Sequence, residues 1–554
     1  MRLGIGVEFD GAYRSVGTIV TKPGIGAVFS YDKEWVEGAS CWPLSLSIPI
    51  GEAEYSDRAI RPYFEGLLPE EYSRSVIARE LGVSGHGYLK ILAALGDECI
   101  GAVLVSNEGV KGDDESLSPY YMPLDEETFE SLAAREYTVS SEIAAESRLS
   151  LAGSQSKVGL YRDPVDGSWW VPRGTAPSNC IVKPNSSRFA GIVDNELFCL
   201  DVARASGISV PFAYAAPTQA PMLVVERYDR KPCPADAPID GHVRFRRLHQ
   251  EDFCQALGML GTEKYEVSRR SYARSMADAL RRYASNPIED ILRLFDLIAF
   301  NYIIGNCDAH LKNYSLMRSD DWRELSLAPA YDLVSTTVYP ELTTAMGLYV
   351  GEKKRLEAVE RADFVELRHF MGLSRRAAET RIDMLRDRVV AAFEAQAADS
   401  ADSEIARAIA CQSKSASISW PWYKGNASAL VKLRRHVVRL RSSVSLVPGQ
   451  CTRLLQLACA VHAPDMREHL ARAHAVVIGG LFNDRSLACN SVDRCQTCSI
   501  RAIGQVFVRG RCATVRFLRK RQHRLSIRLS RDQHSVAFQQ LYRDSSWAFL
   551  FYLN

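Results

Sequence analysis

The chain contains no run of 18 or more apolar residues, so a spanning helix is not expected. Its opening stretch, MRLGIGVEFDGAYRS, has no long apolar run and carries acids early, so it is not expected to be a signal peptide. The cysteines before residue 411 stand singly. Without an export signal they read as reduced thiols of a cytoplasmic protein, mostly core filler. Glutamate is almost missing from the last part of the chain: residues 411–554 hold one, Glu468. That segment carries 23 Lys+Arg, 19 of them Arg, against 6 acids, or +17, while residues 1–410 carry 45 Lys+Arg against 60 Asp+Glu, or −15. The total of +2 is therefore a cancellation between unlike segments. A unit at −15 is not suited to wrapping DNA unaided.

What is present fits a globular protein. Hydrophobic residues make up 47% and charged residues 24%, which excludes collagen-like, mostly disordered and small disulfide-stapled chains. At 554 residues the chain exceeds the ~250–300 at which one core stops growing, so several domains are expected. Residues 1–50 read as strands and turns, 53–95 as helical and 99–105 (CIGAVLV) as a buried strand, with a polar boundary at 106–125. Short β-rich runs fill 149 to about 230, interrupted by a helix at about 194–205 that ends at Ser206-Gly207. From about 250 to 395 the pattern is mainly helical. One helix is well marked: Asn286 as N-cap, Pro287 at the first position and Glu289 completing a capping box, before the apolar run ILRLFDLIAFNYII. It ends at Gly305, and GNCDAHLKN follows.

Five constellations could carry chemistry. Asp308 and Asn313 stand five apart, the spacing at which a kinase catalytic loop supplies a proton acceptor and a magnesium ligand. Such a pair also arises by chance roughly once in a chain this long. Asp332, in APAYDLVS, follows a short apolar strand where a kinase places its main metal ligand, although the Phe-Gly of protein kinases is missing after it; by itself it is also an ordinary turn-capping Asp. Lys183 ends the strand CIVK, with Glu196 thirteen residues on, which suits a phosphate-holding lysine and the acid that orients it, or an edge lysine and a solvated glutamate. Gly153, with Ser154, Gln155, Ser156 and Lys157, forms a turn that is neither a Walker A nor a G-x-G-x-x-G motif, but whose amides can cover phosphates. Leu223 to Asp229 is an apolar strand turning polar, a candidate adenine hinge or simply a strand end. Each signal is weak; their order is that of the parts of a phosphotransferase. His310 has no partner at metal spacing and reads as loop-orienting or structural, and Cys307 as a packed thiol.

The motifs LAGSQSKVGL, IVKP, VDNELFCLDVARASGISVP, VVERYDR, EDFCQALG, GNCDAHLKN and APAYDLVS resemble the HipA-type toxin kinase family, as do PLSLSIPI, FEGLLPEEYSRSVIARELG and LGDECIGAV nearer the start. The resemblance covers about residues 1–400. It implies an α+β, two-lobed, protein-kinase-like fold with a β-rich N-terminal lobe and a helical C-terminal lobe. The expected divisions are a HipA N-terminal subdomain at 1–125, an N-lobe with the ATP-binding loop at 126–245, a C-lobe with the catalytic loop at 246–410 and a basic Cys/Arg-rich tail at 411–554. It implies ATP- and Mg²⁺-dependent phosphorylation of a protein serine or threonine, with an aminoacyl-tRNA synthetase as target class. Carried over, Asp308 is the catalytic base, Asn313 and Asp332 hold Mg²⁺, and Lys183 holds the phosphates; Glu196 as the acid that orients Lys183 rests on general kinase logic more than on the family motif. Ala152, Gly153, Ser154, Gln155 and Lys157 form the ATP loop, and Glu226, Tyr228 and Asp229 sit at the nucleotide. Ser150 matches a residue whose autophosphorylation silences the family's enzymes. Ser154 and Ser156 depart from the Ala and Glu usual there, which bears on loop detail. The implied partner is a HipB-like helix-turn-helix antitoxin, through which DNA is contacted indirectly; no membrane is involved.

The resemblance stops at about 400–425. In the tail, Cys489, Cys495 and Cys498 fall short of a zinc signature, and VRFLRKRQHRLSIRLSR could bind phosphates. One Glu in 144 residues, with abundant Arg, Ser and Cys, reads better as a frameshifted or non-native extension. The alternatives to an active kinase are a catalytically degenerate kinase-fold module serving as antitoxin partner or co-repressor, and a nucleic-acid binder acting through the tail.

Overall fold

Leu3, Ile5 and Val7 fall on one face of β1 (Arg2–Phe9) by the two-residue period of a strand, and all three are fully buried. This computed structural model describes residues 1–38, 41–85, 87–96, 99–107, 118–134, 157–186, 188–268, 271–399, a few positions at 405–409, and the backbone of six strands between 503 and 553. β1 lies in an antiparallel sheet with β2 (Ala12–Lys22), β3 (Gly26–Tyr31), β4 (Tyr55–Ser56) and β5 (Val103–Asn107), in the order β4-β3-β2-β1-β5. The helices α1 (Lys33–Glu37), α2 (Asp57–Gly66), α3 (Glu71–Glu80) and α4 (Tyr88–Leu95) belong to the same subdomain. On α2, Ile60, Tyr63 and Phe64 recur at helical spacing and are fully buried in its core. Trp322, more than two hundred residues away in sequence, also packs in that core.

The next sheet is built from β6 (Tyr120–Pro123), β7 (Val158–Arg162), β8 (Trp169–Arg173), β9 (Cys180–Pro184), β10 (Ala213–Ala215) and β11 (Met222–Glu226), in the antiparallel order β10-β11-β9-β7-β8-β6. Helix α5 (Glu126–Ala134) places Phe129 and Leu132 against Val158, Leu160, Val182, Met222 and Val224. The alternate β11 residues Leu223 and Val225 join the larger core of the helical lobe, so this strand is buried on both faces. Helix α6 (Ile192–Ala205) belongs to that larger core and ends at Ser206, as its sequence predicts.

A hairpin of β12 (Arg230–Pro232) and β13 (Phe245–Arg247) leads to β14 (Gln250–Asp252) and the short α7 (Phe253–Ala256). The helical lobe then holds α8 (Tyr272–Tyr283), α9 (Pro287–Ile303), α10 (Arg361–Met371) and α11 (Arg375–Asp399). It also holds strands that the mainly helical reading missed: β15 (Ser315–Arg318) and β16 (Leu325–Leu327) beside β14, and the pair β17 (Ala345–Val350) and β18 (Lys353–Arg355). These are short pieces, below the length at which alternation is legible.

Two local expectations are corrected. The capping box at α9 does not form: Asn286 has φ −124° and ψ 72°, makes no side-chain cap bond, and Glu289 is exposed. Helix α9 is nonetheless buried from Leu294 to Ile303, so packing rather than capping holds it. The strand expected at 99–105 starts only at Val103, because Cys99 to Ala102 turn and lend their backbone to the hinge described below. Among the described residues, no helix is long and apolar enough to cross a membrane.

Residues Gly425–Asn554 form a separate unit. Its described backbone has β19 (Ile503–Val508), β20 (Arg511–Arg519), β21 (Leu525–Leu529), β22 (Tyr542–Arg543), β23 (Ser546–Trp547) and β24 (Leu550–Leu553), with β20 paired to β19, β21 and β24. Cys489, Cys495 and Cys498 lie outside the described residues.

Candidate active site

Lys183 stands on β9 and Glu196 on α6, both almost completely buried. Lys183 Nζ lies 2.8 Å from Glu196 Oε1 and 2.5 Å from Asp332 Oδ1. One ammonium thus meets two carboxylates. Burial disfavours the charge on Lys183, but Asp332 and Glu196 more than offset this and hold its pKa above the usual lysine value. Burial also opposes ionisation of Asp332, yet Lys183 and Lys157 keep it well below the carboxylate range. Glu196 carries the opposite shift: burial pushes its pKa up and Lys183 only partly counters this, with the negative Asp332 adding to the rise. Asp332 is 35% exposed at its side chain and sits in left-handed backbone at φ 51°, a conformation Asp tolerates better than bulkier residues.

The loop after α9 is stitched by asparagines. Gly305 turns it at φ 72°, a region that favours glycine. Asn306 Nδ2 donates to Asn301 Oδ1 (2.8 Å) and to the Asp332 carbonyl (3.2 Å), while its Oδ1 accepts from the Asp308 N–H (3.1 Å). Asn306 therefore links the Asp308 and Asp332 segments, a role the sequence reading did not assign. Asn313 Nδ2 donates to the Asp308 carbonyl at 3.1 Å, which leaves its Oδ1 as the group that can accept or ligate. The Asp308 side chain opens into the cleft and accepts from Tyr265 Oη at 2.5 Å. The surrounding walls desolvate it and raise its pKa, against the lowering effect of Tyr265 and Lys264. His310 is buried, meets the Tyr265 ring edge-on at 5.0 Å, and is driven to a pKa of about 3 by burial and Lys264, so it is neutral. Cys307 is a buried thiol whose pKa burial raises.

At the hinge, Glu226 ends β11 with its side chain exposed and its N–H given to the Phe212 carbonyl at 2.9 Å. The Tyr228 ring stacks at 6.0 Å on Tyr331, and its hydroxyl bonds Gln250. Asp229 also has a structural role that its sequence position does not announce. Its oxygens accept from Arg227 Nε (2.9 Å), Arg227 Nη2 (2.7 Å), Arg230 Nη1 (2.9 Å) and the Gly101 N–H (2.8 Å), and it is 3% exposed. Its carboxylate locks the hinge, with Oδ2 taking three of these four bonds and Oδ1 one. Against the cost of burial, Arg227 and Arg230 hold its pKa well below the usual range. The Cys99 carbonyl accepts from Arg227 (3.3 Å) and Arg230 (2.9 Å), completing the lock.

Lys157, Lys183, Glu196, Glu226, Tyr228, Asp229, Asp308, Asn313 and Asp332 line one cleft of about 830 Å³. Ser150, Ala152, Gly153, Ser154 and Gln155 lie outside the described residues. The sequence reading missed Glu70, Lys264, Tyr265, Asn306 and Lys312, which surround Asp308; none stands at a motif spacing that would mark it. For a divalent cation, the donors facing the cleft are hard oxygens, the ionised Asp332 carboxylate and the Asn313 amide. That set suits Mg²⁺ held together with phosphate oxygens.

Comparison with known proteins follows the same map. The family model of the HipA N-terminal domain matches residues 11–106, and that of the HipA-like C-terminal domain matches 149–393. The protein named Putative kinase Y4mE of Sinorhizobium fredii is 38% identical over 339 residues, which is 60% of this chain and 77% of that protein. The serine/threonine-protein kinase toxin HipA of Shewanella oneidensis is 27% identical over 336 residues, 58% of this chain and 73% of the toxin. Among solved structures, a Shewanella oneidensis MR-1 toxin–antitoxin complex of HipA, HipB and its operator DNA aligns with a TM-score of 0.63 at 22% identity, covering 76% of this chain and 97% of that one. The fold is accordingly α+β and two-lobed, of the kinase-like type.

Proposed function

The chain belongs to the HipA family, and from that premise we propose that it is an ATP-dependent protein kinase that transfers the γ-phosphate to a serine or threonine hydroxyl. The observation that carries the reading is the convergence of Lys183, Glu196, Asp308, Asn313 and Asp332 on one cleft. In the proposed reaction the acceptor oxygen bonds to the γ-phosphorus and the bond to the β–γ bridging oxygen breaks. ADP leaves with that oxygen, and the hydroxyl proton passes to Asp308. A raised Asp308 pKa brings the base nearer the operating pH, which favours proton transfer. Lys183 would hold the α- and β-phosphates and is pre-oriented by Glu196. Asp332 and Asn313 would hold Mg²⁺, whose charge would offset that of the phosphate oxygens. Lys157 and the turn before it would cover the phosphates, and the Glu226–Tyr228 hinge would flank the adenine.

The reading extends to autophosphorylation at Ser150, where a near-dianionic phosphate would oppose ATP docking, and to an aminoacyl-tRNA synthetase as target class. It extends also to a helix-turn-helix antitoxin as partner, with DNA reached through it. The −15 net charge of residues 1–410 supports indirect rather than direct DNA contact. The same reading assigns 1–125, 126–245 and 246–410 to the N-terminal subdomain, N-lobe and C-lobe, and treats 411–554 as outside the enzyme. Incubation with Mg-ATP followed by mapping of phosphate on Ser150 tests it. No incorporation by the wild type, or unchanged incorporation in Asp308→Ala, would sink it.

A further inference from the structure

Among the described residues, the N-terminal subdomain touches the catalytic core at several places beside the cleft, and two of them tie down its parts. One is the hinge lock through Cys99 and Gly101. The other is Glu70, which lies between α2 and α3 and reaches toward the loop that carries Asp308. Glu70 Oε2 is 2.6 Å from Lys264 Nζ, and its Oε1 is 3.3 Å from Lys312 Nζ. Lys312 Nζ is also 3.0 Å from Asp252 Oδ2 and donates to the Gly66 carbonyl at 3.3 Å. The three side chains are largely buried, at 16% exposed for Glu70, 9% for Lys264 and 7% for Lys312. Burial opposes the Glu70 charge, but the two ammoniums prevail and bring its pKa to about 2, so the bridge is ionised.

Both lysines act on the loop. Lys312 lies within it, next to Asn313, and its carbonyl accepts from Tyr331 Oη at 2.6 Å. The Lys264 carbonyl accepts the Leu311 N–H at 3.1 Å, and the neighbouring Tyr265 donates to Asp308 Oδ1 at 2.5 Å. One carboxylate from the N-terminal subdomain therefore ties down both edges of the loop.

We propose that Glu70 is a positioning residue for the phosphoryl-transfer reaction: acting through Lys264 and Lys312, it fixes the 308–313 loop and so makes the N-terminal subdomain part of the active-site frame. This rests on the kinase reading above. Glu70 does not touch substrate; it restricts where Asp308 can point. Small misplacements of a reacting group are costly, on the order of 100-fold for about 1 Å.

The test uses the full chain as wild type, Glu70→Gln, Glu70→Asp and Glu8→Gln. Glu8 serves as comparator because it is likewise an acid of the N-terminal subdomain paired with a base of the core, Arg247 (3.3 Å), but does not line the cleft. Amide hydrogen exchange of residues 306–316 is followed by mass spectrometry, alongside kcat and KM for ATP. In Glu70→Gln, exchange in that segment is expected to rise about 10-fold. Its kcat is expected to fall at least about 10-fold, with KM for ATP changed less than about 3-fold. Glu70→Asp, which reaches less far, is expected to lie between the two, and it replaces Glu70→Gln in the comparison if that variant does not fold. Glu8→Gln is expected to leave exchange in the segment unchanged. Unchanged exchange in both Glu70 variants overturns the proposal, and so does equal loosening in Glu8→Gln, which would mark a general weakening of the contact. A wild type that transfers no phosphate defeats the kinase reading, while the exchange comparison still decides whether Glu70 fixes the loop.

Discussion

Replacing Asp229 by Asn separates two roles that the sequence alone runs together. If Asp229 met the nucleotide, the change would act mainly on ATP binding. The structure gives its carboxylate four donors, three of them from the guanidiniums of Arg227 and Arg230, with almost no exposure. Removing one charge from a buried, hydrogen-bonded ion cluster costs about 3–5 kcal/mol, because the remaining charges lose their compensation. At about 2.1 cal/mol/K per residue, a unit of roughly 400 residues has an unfolding entropy near 0.8 kcal/mol/K, so Tm should fall by about 4–6 °C. The pH dependence follows from the direction of the shift. The Asp229 pKa is depressed in the folded protein, so its contribution is fully present above the unfolded value of about 3.9 and is lost as pH falls through the lower folded one. The Tm deficit of Asp229→Asn should therefore be constant between about pH 5 and 8 and shrink only in stronger acid. Differential scanning calorimetry across pH, paired with ATP titration, measures both quantities. A Tm within about 1 °C of wild type together with an ATP affinity weakened about 10-fold would refute the hinge-lock reasoning.

Lys183→Met removes the ammonium that bridges Glu196 and Asp332 and leaves only the charge of Lys157 to offset them, so ATP turnover should fall about 10²–10³-fold with a lowered Tm; a steady-state assay with calorimetry checks both. Gly347→Ala would place a Cβ 2.5 Å from the Ala309 carbonyl oxygen and 2.8 Å from the His310 nitrogen. Backbone atoms cannot yield cheaply, so a loss of about 1–3 kcal/mol in denaturant unfolding and a reduced kcat are expected. Glu251 is buried between Ser45 Oγ (2.5 Å) and the Leu46 N–H (3.1 Å), and burial raises its pKa to about 7. A carboxyl raised in the folded state is bound to its proton more tightly there than in the unfolded chain, so stability falls as pH rises from about 4.3 to 7 and then levels. Glu251→Gln should abolish that fall, ending about 4–5 °C above wild type in Tm at pH 8 and near it at pH 4.

Much of the architecture was legible because it is written in local patterns. The two-residue period of β1 and the apolar run of α9 survive without tertiary context, and Ser206 ends α6 where expected. Lys183 and Glu196 could be named because a strand end and the following helix carry them at recognisable places, and they meet at 2.8 Å. Glu70 and Lys264 were not legible. Their importance arises from a contact between residues 194 apart, and no spacing rule connects them. The hinge-locking role of Asp229 was not legible for a related reason. This residue follows a hinge-like strand, but its partners include Gly101, 128 positions earlier. The capping box at Asn286 failed in the other direction, since the motif is present and the backbone at that residue does not use it.

The central claim is that Asp308 takes the acceptor's proton in a cleft that otherwise binds ATP independently of it. Asp308→Asn keeps the shape and the hydrogen-bonding capacity of the side chain while removing its basicity. The decisive measurement is single-turnover transfer of labelled γ-phosphate by wild type and Asp308→Asn at matched ATP occupancy, verified by calorimetric titration. If Asp308 is the base, ATP affinity stays within about 3-fold of wild type and the transfer rate falls by about 10²–10⁴. Transfer by Asp308→Asn at the wild-type rate would contradict that role.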